Sequence, residues 1–447
     1  MRSDGAIRGV GLRQVRRIGQ WGRIGAKGDS MSYRVKRILI SVLFTLAVVV
    51  LIGLCMAPLP IWTPAPTHTP APTPTPELRL TVCSSGCSFT TLEEAIDEAD
   101  SGDAIGVLDA VHTEPGIVVD KDVTILGQWP DGTVVQAHAE PGEATESVFI
   151  IAEGATVIIK DLTIRHGNPE TGMEAGGGVN NRGAVTLEHC VVTDNTASAG
   201  GGMNNFGSMT LVDTTVSKNV ADGTGGGFTG CGTGGGIKVE QGPLVMINSV
   251  ISGNSSQGDG GGIFLACKGT LELINSTISG NDATGGSGGG VCIRGAAQSI
   301  QSTIANNRAA KTGGGIYVRG SGERGLIRGW LDFSNTIIAG NTTGSEYCCA
   351  DCMLGEDSTM GLNANNLVED GSCSPAFTGR PLLQPLADNG GHTLTHALLR
   401  DSPAIDAIPV ISCTLTVDQR GMARSMEVTS SDTPCDIGAF ELQPDEG

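Results

Sequence analysis

Aromatic side chains are scarce in this chain: Trp, Tyr and Phe together make 4% of its 447 residues. A core built on large aromatic rings is therefore excluded, and many small, repeated apolar contacts must take its place. Basic charge is scarce too, once the first 37 residues are set aside. That segment holds ten Lys and Arg against Asp4 and Asp29, which leaves 18 basic and 45 acidic side chains for the rest. A body so acidic repels phosphate, so nucleic acid is excluded as a partner. There is no strict Gly-X-Y period despite 67 glycines, which excludes collagen.

Charge is absent from Ile38 to Ala57, ILISVLFTLAVVVLIGLCMA. Twenty such residues match the length of a membrane-spanning helix. Arg34, Lys36 and Arg37 just before it place the N-terminus in the cytoplasm and the body outside. A cleaved export signal is the competing reading, with Cys55-Met56-Ala57 as its cleavage site; Met1 and Met31 both qualify as its start. Next comes WTPAPTHTPAPTPTPE, whose alternating proline favours an extended polyproline spacer of about 3 Å per residue. The expected organisation is a basic cytoplasmic segment 1–37, a transmembrane helix or signal segment 38–57, a Pro/Thr-rich linker 58–77, a body 78–345 and a C-terminal module 346–447. The location is then the cell membrane with an extracellular body, or outside the cell if the apolar segment is removed.

The glycines recur in triplets beginning at Gly176, Gly200, Gly234, Gly260, Gly288 and Gly313, with steps of 24, 34, 26, 28 and 25. Each triplet leads to an asparagine: Asn195, Asn219, Asn254, Asn281, Asn307 and Asn341. Counting back from these, columns appear. Three before lie Val192, Val216, Ile251, Ile278, Ile304 and Ile338; five before lie Cys190, Thr214, Ser249, Ser276, Ser302 and Thr336. Eight and ten before, the residues are mostly Leu, Met and Val. Steps of two are a strand period, and the three-residue step is a bend. Six such turns predict a parallel β-helix, with like residues stacked about 4.8 Å apart. A leucine-rich horseshoe lacks its Leu-x-x-Leu-x-Leu signature here. The glycines fill one corner, where the backbone turns at positive φ and packs closely. The six asparagines form a structural stack at another, bonded to the turn backbone and to one another.

Two stretches carry a family resemblance. FTTLEEAIDEADSGDAIGVLDAVHTE, residues 89–114, resembles the opening of pectin-lyase-like right-handed β-helices, where a short helix capped here by Thr91 closes the first coil. PLADNGGHTLTHALLRDSPAIDA at 385–407, DQRG at 418–421 and CDIGAFE at 435–441 resemble the choice-of-anchor Q module. The Gly-rich repeats are similar to those of polymorphic outer-membrane proteins. The resemblance implies a right-handed parallel β-helix at the cell surface or secreted, with no established reaction. It also pairs Cys413 with Cys435, holding DQRG against the coil end. Cys352 and Cys373 fit the same pattern, and Cys83 and Cys87 are close enough to staple the first coil. Cys190 stands in an inward column as a buried thiol. Cys348 and Cys349 have no evident partner beyond Cys231, Cys267 or Cys292. A zinc site of Cys348, Cys349, Cys352 and Cys373 is the alternative use of those thiols.

Polysaccharide lyases on this fold use an Arg base and a carboxylate-held calcium, and galacturonan hydrolases use clustered Asp. Asp161, Asp194, Asp213, Asp259, Asp282 and Asp332 are scattered along the chain, so neither cluster is legible; no cofactor is expected, and calcium stays open as a metal whose ligands the sequence does not make legible. His392 and His396 have metal-ligand spacing on a helix, but Gly390, Gly391 and two threonines argue against one. The more ordered feature is a column six residues after each triplet: Arg182, Phe206, Glu240, Ala266, Arg294 and Arg319. Arg294 and Arg319 fall on adjacent coils, about 5 Å apart. They could receive a carboxylate or sulfate of an acidic glycan, or pair with nearby carboxylates. The expected function is non-catalytic, an adhesin or structural scaffold binding cell-envelope or extracellular glycans. The alternative is a lyase or glycoside hydrolase acting on acidic polysaccharide.

Overall fold

The computed structural model describes residues 78–444 apart from 171–175, 224–231, 321–328, 345–348 and 425–433. The apolar segment 38–57 and the Pro/Thr-rich linker lie outside the described residues. Among those described, no helix is long and apolar enough to cross a membrane.

The chain is a parallel β-helix. One coil shows how the sequence makes it. Ile263–Ile274 is a strand, Asn275 and Ser276 bend the chain, Thr277–Ser279 is a second strand, Asn281 turns it again, and Asp282–Ala283 is a third. Ser287 to Gly290 then lead into the next coil. Repetition stacks these strands into three parallel sheets of 18, 11 and 6 strands among the described residues. The predicted columns are the pairing register. Val192 pairs with Val216, Val216 with Ile251, Ile251 with Ile278, Ile278 with Ile304 and Ile304 with Ile338, all fully buried. The pleat sends these inward and their neighbours outward. Parallel pairing does not stop at residue 345: Cys352–Leu354, Thr359–Ala364, Leu367–Val368 and Phe377–Thr378 continue it.

Both corners behave as the residue types require. Gly260 has φ of 78°, and a Cβ there would lie 2.5 Å from the Ile263 carbonyl. A Cβ on Gly261 would lie 2.4 Å from the Gly289 carbonyl of the next coil. The asparagines form a one-way ladder. Each donates its backbone N–H and its side-chain amide to the Oδ1 of the next, from Asn195 to Asn341, at 2.9–3.1 Å. Gly167 N–H enters the first step at 2.9 Å, and Asp351 receives the last from Asn341 at 3.2 and 2.9 Å.

A second left-handed column precedes the small-residue bend: Asp161, His189, Asp213, Asn248, Asn275, Gln301, Asn335 and Asn365, with φ of 45–57°. Short polar side chains tolerate this conformation better than bulky ones.

At the N-terminal end, the helix Leu92–Glu98 buries Leu92, Ala95 and Ile96 against the first coils, and Thr91 Oγ1 accepts Glu94 N–H at 3.2 Å. Glu114 completes the cap, accepting Leu92 and Glu93 N–H at 2.7 and 3.0 Å and His112 Nε2 at 2.6 Å. Burial opposes ionisation of Glu114, but these bonds hold its carboxyl below the usual range.

The C-terminal segment corrects one expectation. DQRG does not sit against the coil end. It lies on the lateral outer face of the second sheet, where Thr277 Oγ1 donates to Gln419 Oε1 at 2.6 Å. Gln301 Oε1 accepts Leu415 N–H, Asn335 Nδ2 donates to the Ser412 carbonyl, and Thr303 Oγ1 accepts Ala439 N–H. Ile337, Ala339 and Leu367 of the sheet share an apolar cluster with Leu398, Ile408, Ile437 and Phe440. The two motifs fold onto each other: Asp418 Oδ2 accepts Glu441 N–H at 3.1 Å, and Arg420 lies over the Phe440 ring at 3.7 Å. Disulfides join Cys83 to Cys87, Cys352 to Cys373 and Cys413 to Cys435, with Cα separations of 5.4, 5.8 and 6.2 Å.

Candidate functional site

Arg294 and Arg319 each follow a strand of the first sheet on adjacent coils, so Arg319 N–H reaches the Ile293 carbonyl at 2.7 Å. Their side chains take different surroundings. Arg319 Nη1 is 3.3 Å from Asp259 Oδ2, whereas the Arg294 guanidinium lies 5.6 Å from the Phe264 ring centre. The carboxylate pairing weighed from the sequence is thus what Arg319 makes.

Asp259 precedes the third triplet from the C-terminus, Gly260 to Gly262, and is fixed from several sides. Its Oδ1 accepts Ser287 N–H at 2.8 Å, and its carbonyl accepts Thr233 and Gly234 N–H. Around this pair lies a groove of about 410 Å³ between the glycine corners and the outer face of the first sheet. Lys311, Tyr317 and Arg319 line it with Asp259 and Ser287. Burial raises the Tyr317 phenol above its usual value, and Arg319 opposes that shift. Burial likewise pushes the Cys292 thiol well up, Asp259 adds to the rise, and Arg294 and Arg319 pull the other way. All of these groups therefore share one electrostatic field. Two positive side chains and one carboxylate that Arg319 already engages suit a ligand anion. Lys311 and Tyr317 were not singled out from sequence, because neither stands in the arginine column. The signal available was the Asp directly before a glycine triplet.

Other candidates separate. His396 is buried, with Nε2 2.8 Å from Ser279 Oγ and Nδ1 2.7 Å from the Gln384 carbonyl, and burial lowers its pKa. His392 instead stacks on His189 with ring centres 4.3 Å apart. The zinc reading of the four cysteines is overturned, since Cys352 and Cys373 are bonded to each other. Cys231 and Cys348 lie outside the described residues. The Cys190 thiol is buried, donates to the Ile159 and Glu188 carbonyls at 3.3 Å, and is pushed up to about 12 by that burial.

No family model matches the sequence, and no curated protein matches it. Several solved structures are similar. The pectate lyase Pel9A shares 13% identity at a TM-score of 0.40, over 79% of this chain and 91% of that one. A pectin methylesterase from carrot shares 13% at 0.34, over 65% and 90%. The PL6 family alginate lyase AlyGC shares 12% at 0.29, over 79% and 58%. At these scores the likeness bears on neither site nor reaction; the β-helix assignment rests on the strand register of the chain itself.

Proposed function

We propose that this protein is a non-catalytic β-helix of the cell surface or extracellular space, tethered by residues 38–57 or released by their removal, that binds an acidic glycan. The coil is right-handed, the hand that parallel crossovers take almost without exception. The C-terminal segment is a choice-of-anchor Q module, supported by the way DQRG and CDIGAFE clasp each other over the second sheet.

The observation that carries the binding reading is the groove holding Lys311 and Arg319 on an otherwise acidic body. A uronate or sulfate there meets two cations, while Ser287 and Arg319 already engage the Asp259 carboxylate. A catalytic role finds less support. Burial moves the Tyr317 phenol further above its usual value, and Asp259 is committed to structural bonds. The runner-up is a lyase or hydrolase of acidic polysaccharide, favoured by the presence of a carboxylate, a lysine and an arginine in one groove.

A glycan array of sulfated, uronate-rich and neutral polysaccharides tests the reading. Binding to acidic glycans is expected to weaken about tenfold in Lys311→Ala/Arg319→Gln, and to fall comparably with added salt, because exposed charges are screened within about 8–10 Å. Unchanged binding in the double variant removes this groove as the site. Unsaturated products or new reducing ends from an acidic polysaccharide replace the binding reading with the enzymatic one.

A further inference from the structure

On the other side of the coil lies a second cleft, of about 660 Å³. Its outer wall is Trp129, which is 71% exposed. The Trp129 carbonyl accepts the N–H groups of Gly132 and Thr133, both at 2.9 Å, so a tight turn holds the indole out from the body. In a chain with four tryptophans, leaving one of them in water forfeits much of the burial such a ring normally contributes.

The floor comes from the left-handed column. Asp161, His189 and Asp213 stand at the same bend in three consecutive coils, with φ of 57°, 49° and 48°. His189 Nδ1 is 3.3 Å from Asp161 Oδ1, and its Nε2 is 3.5 Å from Asp213 Oδ2. Each carboxylate engages the ring through one oxygen and keeps a second as an acceptor. His392, from the C-terminal module, stacks on His189 at 27° between planes and closes the far wall. Asp131 joins Trp129 on the near side.

We propose that this cleft binds an ammonium group, carried in its favoured form on an amino sugar of a polysaccharide. Charge decides the class of ligand. The lining holds three carboxylates and neither Lys nor Arg. A uronate or sulfate is repelled there, whereas an ammonium is drawn both to the carboxylates and to the indole face. An exposed indole also takes the flat apolar face of a sugar ring. The volume lies within the range of small-ligand sites. The two clefts therefore sort ligands by sign, and this one stands whether or not the Lys311–Arg319 groove binds glycan.

Tryptophan fluorescence of the full chain, titrated with chitosan oligomers, their fully N-acetylated counterparts and tetramethylammonium, tests the assignment. Chitosan oligomers are expected to bind at least tenfold more tightly than the acetylated ones, with affinity falling as salt rises. Trp129→Ala and Asp213→Asn, followed by calorimetry, are each expected to weaken binding about tenfold, while Lys311→Ala leaves it unchanged. Trp129 is exposed, so its variant should melt at the wild-type temperature, and a matching melt ties any loss to the site. Tetramethylammonium binding as tightly as the oligomers supports the ammonium site and assigns it to free organic cations. Equal affinity for acetylated and deacetylated oligomers, or unchanged binding in Trp129→Ala, overturns it.

Discussion

Arg424 Nη1 lies 3.1 Å from Glu441 Oε2, with side-chain exposures of 0% and 1%. The same guanidinium donates to Asn275 Oδ1 at 2.9 Å and to the Gly438 carbonyl at 2.8 Å. One buried cation thus joins a coil bend, the CDIGAFE turn and the segment after DQRG. Removing it strands the Glu441 carboxylate in the interior. Arg424→Met is expected to cost about 3–5 kcal/mol, the range for breaking a buried pair from one side, read as a lower denaturation midpoint. Adding Glu441→Gln should recover part of the loss. A wild-type midpoint in Arg424→Met would show that this cation does not hold the module.

Asp351 ends the asparagine ladder, and burial pushes its carboxyl up from 3.8 to about 6. The folded protein therefore keeps a proton that the unfolded chain releases between those values. The resulting stabilisation is full below about pH 4 and is lost as pH rises through 6. Asp436 acts in the same direction, raised to about 7 by burial and then by Glu441. Asp351→Asn keeps the Oδ1 acceptor and removes the titration. Relative to wild type, the variant is expected to gain on the order of 2 kcal/mol as pH climbs from 4 to 7. Melting curves at pH 4, 5.5 and 7 measure this, and a constant difference across the three would refute it.

Within the ladder, Asn254→Ala leaves Asn219 N–H and Nδ2 without the acceptor they reach at 3.0 and 2.9 Å. The Val216 carbonyl loses its donor as well. Each stranded buried group costs about 1–3 kcal/mol, so three give an expected total of about 3–9 kcal/mol. Ile304→Val, an apolar trim in the same interior, should cost about 1 kcal/mol. Equal losses in the two variants would mean that the ladder contributes no more than packing does.

The bond between Cys413 and Cys435 closes a loop across a sequence separation of 22. Loop closure of that length stabilises by about 3 kcal/mol. Replacing both cysteines by serine is expected to lower unfolding stability by that order. The loss should appear earliest as proteolysis within the C-terminal module while the coils remain intact. Peptide mapping that finds both thiols unlinked in the native protein would end this expectation.

The interior of the coil was legible because every turn reuses one backbone. Ile251 and Ile278 occupy equivalent places, so counting from Asn254 and Asn281 finds them. What lies outside the coil obeys no such period. Asp351 completes the ladder only ten residues after Asn341, from the start of the next coil, where Cys352 beside it pairs with Ile316, and it is not an asparagine. The left-handed bend was visible as a three-residue step, but its chemistry depends on what packs over each position. At Asn275, Gln301 and Asn335 that is the C-terminal segment; at Asp161, His189 and Asp213 it is an open cleft. DQRG and CDIGAFE could be recognised as motifs, yet the face they cover is set by Thr277 and Thr303, which read in the sequence as ordinary strand residues.

Every link of the ladder from Asn195 to Asn341 runs the same way, from donor to the acceptor of the following coil. A side-chain amide both gives and receives, so any interior rung is interchangeable with any other. The last link needs only an acceptor, which Asp351 Oδ1 supplies. Within the ladder alone, an added or removed rung keeps every donor matched to an acceptor, but the C-terminal segment is held to particular coils by His392 on His189 and by Thr393 on the Asn248 carbonyl. The ladder therefore leaves the number of coils open, and the C-terminal segment, which reaches from His189 to Asn335, is what fixes it.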